Sequence, residues 1–197
     1  MSEKTFNTLT KVQKILLLIM AVASVTFEIV IVINAKTLDN LNLKVAGYNV
    51  AATNLAFAAA MICGYIYANK GYTKDAGNFY KAMMAFYALT NIFPAVTLFR
   101  MSGFNLASVV NIIKFVLLIV LAFGKDLGQK NTWIIFAIVF ILELLYAPLS
   151  IMAVAPTNAQ LSLGSYISTA ISRLVLAGLL GLCIVAKYRD KAARGSK

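Results

Sequence analysis

Six apolar runs of 18 to 22 residues, separated by short gaps that hold most of the basic residues, constrain this chain more than any other feature. They cover 15–35, 50–68, 82–99, 106–124, 133–154 and 166–186. A helix needs about 20 predominantly apolar residues to cross a bilayer, and in hydrocarbon only helices and closed barrels satisfy their own backbone polar groups. Runs of this length predict an all-α integral membrane bundle of six transmembrane helices, one domain spanning 1–197. Composition agrees: 61% of residues are hydrophobic and 13% charged, against roughly 45–50% and 25% in soluble domains.

The first run is read as a retained span. A secretory leader has an apolar stretch of only about 7–15 residues and a small-residue cleavage site, whereas 15–35 is longer and contains Glu28. Orientation follows from the basic residues, which are enriched in cytoplasmic loops. With the amino terminus inside, the cytoplasmic segments carry Lys4, Lys11, Lys14, Lys70, Lys74, Lys81, Lys125, Lys130, Lys187, Arg189, Lys191, Arg194 and Lys197. The outer segments carry only Lys36, Lys44 and Arg100. That asymmetry predicts both termini in the cytoplasm and places the protein in the cell membrane. The longest outer segment, 36–49, is expected to be a loop over the outer face.

The net charge of +11 does not point to nucleic acid, because the bases sit where topology signals belong. With no His and two Cys, both inside apolar runs, no zinc set and no disulfide framework is expected. No phosphate-binding loop, GxSxG elbow or HExxH helix occurs, so no cofactor, metal or hydrolytic centre is expected, and an enzyme is the least supported class.

The informative residues are the charges inside the spans: Glu28, Lys114, Glu143 and Arg173. Each costs at least ~2.5–3.5 kcal/mol at mid-bilayer, so such residues turn inward, pair and mark function. Counted from the cytoplasmic end of each span, all four fall within about 5 Å of one level. Two acids and two bases at one depth neutralise each other, with Glu28 matched to Arg173 and Glu143 to Lys114. Thr26, Asn34, Asn54, Thr90, Asn91, Asn111 and Ser172 lie at neighbouring depths. Asn54 and Asn91 join the four charges as candidate binding residues. Asn91 is singled out because it lies three residues before Pro94 in a span without charge. Pro94 and Pro148 each remove a backbone donor and kink their helices. Ala56, Ala60 and Gly64 in the second run, and Ala177 and Gly181 in the sixth, share faces that permit close helix approach. These two spans are expected to be crowded inner helices, touching each other.

Size and span count are similar to those of the substrate-capturing subunits of energy-coupling-factor vitamin transporters. The likeness is architectural. Residues 15–35 lack the small-residue docking ladder of those subunits, and no site residue carries over. Two functions are expected to compete. One is binding or transport of a small polar, charged or zwitterionic solute or ion at a central site. The other is a non-transporting scaffold or accessory subunit whose intramembrane charges are architectural. Beyond the lipid bilayer, a second copy or a membrane partner subunit is compatible with either.

Overall fold

The computed structural model of the protein describes residues 3–124, 127–154, 174–175 and 177–188, which are almost entirely helical and include no strand. In chain order they form α1 (Glu3–Lys36), α2 (Leu41–Asn69), a single 3-10 turn (Lys74–Ala76), α3 (Gly77–Ser102), α4 (Leu106–Phe123) and α5 (Gln129–Val154). A shorter apolar helix, α6 (Ala177–Tyr188), follows. Helices α1 to α5 are long and apolar enough to cross a membrane. Most of the first half of the run at 166–186 lies outside the described residues.

Local capping explains where the helices start and stop. The expected outer loop at 36–49 is corrected to residues 37–40, because Asn40 caps α2 by accepting from the backbone N–H groups of Asn42 (2.9 Å) and Leu43 (3.2 Å). An Asn side chain at that position satisfies donors the helix leaves open. Asn105 caps α4 in the same way through Ser108 N–H (2.9 Å). Helix α2 ends in a Schellman motif. There the Tyr72 N–H reaches the Tyr67 carbonyl (3.0 Å) and the Gly71 N–H the Ala68 carbonyl (3.1 Å). The reversal requires positive φ at Gly71 (67°) and, unusually for a side-chain-bearing residue, at Tyr72 (58°). The basic leader is not a separate arm: α1 begins at Glu3 and carries Lys4, Lys11 and Lys14 as helix.

Consecutive helices pack on one another, and α3 additionally touches α5, which places α3 at the centre. Helices α1 and α5 bury one narrow stripe each, and α4 a broader face. On α1 it holds Gln13, Leu17 and Ala21; on α4, Ala107, Asn111, Lys114, Leu118 and Leu121; on α5, Thr132, Phe136, Val139, Glu143 and Tyr146. Three- and four-residue spacing keeps such a stripe on one side of a helix. Lys114 and Glu143 fall on these stripes, so the helix repeat itself turns them inward. The remaining faces, with Ile15, Phe27, Ile112 and Ile134 exposed, are apolar surface suited to acyl chains.

Two glycines of the small-residue faces mark where neighbouring helices come close. A side chain at Gly64 would meet Met83 Sδ at 3.1 Å and Leu17 Cδ1 at 3.4 Å, while one at Gly181 would meet Phe136 at 3.2 Å. Gly64 thus admits α1 and α3, and Gly181 admits α5. Near the other end of α2, a Cβ on Gly47 would lie 2.7 Å from the Ala35 Cβ. The lack of a side chain there lets α1 and α2 pack closely at this level.

Candidate functional site

The start of α1, the end of α2, the starts of α3 and α5 and the end of α6 are gathered at one end of the bundle. Lys14 donates to Asn69 (3.2 Å), and Lys187 lies 4.2 Å over the Tyr80 ring. We call this the basic end. Between α3, α4 and α5, farther along the bundle, lies a buried charged cluster. Lys114 Nζ donates to Glu143 Oε2 at 3.1 Å with both side chains 0% exposed. The Tyr87 hydroxyl donates to the other carboxylate oxygen, Oε1, at 2.8 Å. Lys114 also sits 4.4 Å from the Tyr146 ring centroid, where the ring face attracts a cation. Both oxygens of Glu143 are engaged, and the ammonium is held between a carboxylate and an aromatic face.

A second group of polar residues lies about one helical turn from the carboxylate, away from the basic end. The register between α3 and α4 is set by Ser108 donating to the Ala95 carbonyl (3.3 Å) and Asn105 to the Leu98 carbonyl (3.3 Å). That register brings Asn111 level with Asn91 on the neighbouring helix. Both asparagines are 0% exposed. Asn91 Nδ2 donates to the Tyr87 carbonyl (3.1 Å), but among the described residues its Oδ1 has no hydrogen-bond partner, and neither Oδ1 nor Nδ2 of Asn111 has one. Pro94, having no N–H, cannot donate to the Thr90 carbonyl one turn earlier. Polar atoms buried without a partner cost about 1–3 kcal/mol each, so the level of Asn91 and Asn111 is chemically demanding.

The six candidate residues divide by position. Lys114 and Glu143 form the expected ion pair. Asn91 lies one turn along α3 from Tyr87 and borders the same cluster. Glu28 and Asn54 are half-buried on α1 and α2. The contacts of Gly47 with Ala35 and of Gly64 with Leu17 define an antiparallel register that brings Glu28 level with Asn54. This pair of helices lies to one side of the α3–α4–α5 cluster, and Glu28 makes no ion pair among the described residues. Arg173, Ser172 and the expected Glu28–Arg173 match lie outside the described residues. Two further expectations are corrected: Thr26 and Asn34 are exposed, and the Thr26 hydroxyl is spent on its own helix at the Val22 carbonyl (3.0 Å).

Several participants escape a reading of residue types. Tyr87 and Tyr146 look like ordinary apolar-run aromatics until α3 and α5 are brought together. At the basic end Gln13, 1% exposed, forms a second network. Its Nε2 donates to the Leu179 carbonyl (2.8 Å) and to Cys183 Sγ (3.1 Å). Its Oε1 accepts from the Tyr72 hydroxyl (2.6 Å), which lies 3.3 Å from Thr10 Oγ1. The available signal was spacing, since Gln13 precedes Leu17 and Ala21 by four and eight residues on one helix face.

Tyr72 lies in the turn after α2, outside the spans. Burial is the main cause that pushes its hydroxyl up to about 12, Cys183 adds to the rise, and the Thr10 hydrogen bond opposes it. A phenol whose folded value exceeds its unfolded value of about 10 stabilises the fold fully below pH ~10, and that contribution is lost as pH climbs through ~12. The thermal midpoint of the full-length protein in detergent should therefore fall over this window by more than that of Tyr72→Phe. Equal falls in the two proteins would contradict the assignment.

No protein-family model matches the chain, and neither a curated protein nor a solved structure matches it.

Proposed function

We propose that this chain is a multi-pass protein of the cell membrane, with six spans and both termini cytoplasmic, that binds or carries a small polar, charged or zwitterionic solute or ion at the polar layer inside its bundle. The observation that carries the reading is the Asn111 amide, fully buried one turn from Lys114 with neither polar atom satisfied among the described residues. Buried polar groups in native proteins nearly always have a partner, and an amide left open beside Asn91 is suited to receiving one from outside the chain. Support for the membrane assignment comes from the length and apolarity of α1 to α5. Support for the orientation comes from the basic residues Lys4, Lys14, Lys70, Lys130 and Lys187, since cytoplasmic segments are enriched in Lys and Arg.

A second reading, a scaffold or accessory subunit that holds a membrane partner or a second copy, is favoured by one specific observation. The Lys114–Glu143 pair is fully enclosed and bonded within the chain. Neutral networks of this kind can serve only to set helix register.

The two readings separate in a reconstituted flux assay over a broad panel of small solutes and ions, using wild type, Glu143→Gln and Arg173→Gln. The proposed function predicts flux for at least one solute and its loss in Glu143→Gln, with Arg173→Gln reporting whether the fourth intramembrane charge belongs to the same site. Unchanged flux in both variants would remove the central site. No flux for any solute would favour the scaffold.

A further inference from the structure

Resting on that reading, we infer that the open polar atoms of Asn91 and Asn111 form a subsite for a small neutral carboxamide, a molecule carrying an N–H donor pair and a carbonyl acceptor as acetamide and urea do. The inference comes from which atoms are unsatisfied. Asn91 presents Oδ1, and Asn111 presents one amide oxygen and one NH2 group. Exchanging the oxygen and nitrogen of the Asn111 amide leaves the same set.

The occupant must therefore supply donors to two amide oxygens and an acceptor to one amide nitrogen. A metal cation or an alkylammonium offers nothing to the Asn111 NH2, and a carboxylate offers nothing to either oxygen. A carboxamide supplies both kinds of group from one planar unit. Burial points the same way. An ion entering between fully buried amides would bring its charge into a water-poor interior, whereas a neutral solute brings none.

The test is saturation-transfer NMR on the full-length protein in lipid nanodiscs, with acetamide, methylammonium chloride and sodium acetate as separate probes. Asn111→Leu and Asn91→Leu serve as variants, and the thermal midpoint of each checks that it is folded. The expected result is transfer to the acetamide methyl group that falls about tenfold in Asn111→Leu, as the loss of two hydrogen bonds requires, and by less in Asn91→Leu, with no transfer to the two ions. Asn111-dependent transfer to methylammonium or acetate, with none to acetamide, would overturn the carboxamide class while leaving the central site standing. Absence of Asn111-dependent transfer to all three probes would overturn both, leaving the amides to water or to each other. If Asn111→Leu does not fold, Asn91→Leu alone decides, because loss of its single acceptor must still weaken the acetamide signal.

Discussion

Replacing Glu143 with alanine should destabilise the protein by about 3–5 kcal/mol, the penalty for leaving a buried partner charge uncompensated. The reason is specific to this site. Lys114 is 0% exposed and donates to Glu143 Oε2, and the Tyr87 hydroxyl loses its acceptor at the same time. Lys114→Ala should have a comparable effect from the other side, since the carboxylate then keeps only Tyr87 among these two donors. The double variant Lys114→Met/Glu143→Leu should behave differently. It removes both charges and refills the volume, and such replacements are often neutral or stabilising by about 1–4 kcal/mol, offset by about 1–3 kcal/mol for the Tyr87 hydroxyl that loses Glu143 Oε1. Reversible unfolding in mixed micelles measures all four proteins. A double variant as unstable as the sum of the single variants would show that the two charges do not act as a pair.

The next largest effect is expected at the basic end. Gln13→Leu leaves the Tyr72 hydroxyl without its short acceptor at 2.6 Å and removes the donor that reaches the Leu179 carbonyl at 2.8 Å. Two disrupted buried hydrogen bonds correspond to a loss of about 2–4 kcal/mol. Because the bonds from Gln13 to the Leu179 carbonyl and to Cys183 Sγ tie α6 to α1, the loss should appear as faster tryptic cleavage at Lys187 as well as a lower thermal midpoint. The combined variant Gln13→Leu/Tyr72→Phe should recover part of the loss, since removing both partners costs less than orphaning one. Equal stability of wild type and Gln13→Leu would mean that the network does not hold α6.

What the residues alone disclose here follows from the solvent. Apolar runs of spanning length must become helices in hydrocarbon, so the all-helical class and the approximate limits of α3 to α5 were readable from run length, whereas α1 and α2 start well before their runs, at Glu3 and Leu41. The Lys114–Glu143 pairing was readable for a related reason. Unpaired charges are excluded from lipid, and counting residues along two antiparallel spans compares their depths. Facing is harder to read. When nearly every side chain of a helix is apolar, hydrophobic contrast no longer identifies the buried side, and Tyr87, Tyr146 and Gln13 gave no compositional sign of their roles. The same loss of contrast made Thr26 look like a cavity residue although it is exposed. The long outer loop was overestimated because 41–49 is too polar to read as a span yet is helical behind the Asn40 cap. Asn111 stood among several polar residues at similar depth, and only the α3–α4 register shows it lying level with Asn91 with its amide unanswered.

The central claim is that the polar layer between α3, α4 and α5 exists for a solute and not only to hold the helices together. The folded double variant Asn91→Leu/Asn111→Leu tests this most directly, because it removes the amides that carry the reading and leaves the Lys114–Glu143 pair in place. In liposomes it should keep a thermal midpoint near that of wild type while losing the solute binding or flux found for wild type. Retention of full solute binding or flux by that variant would contradict the claim.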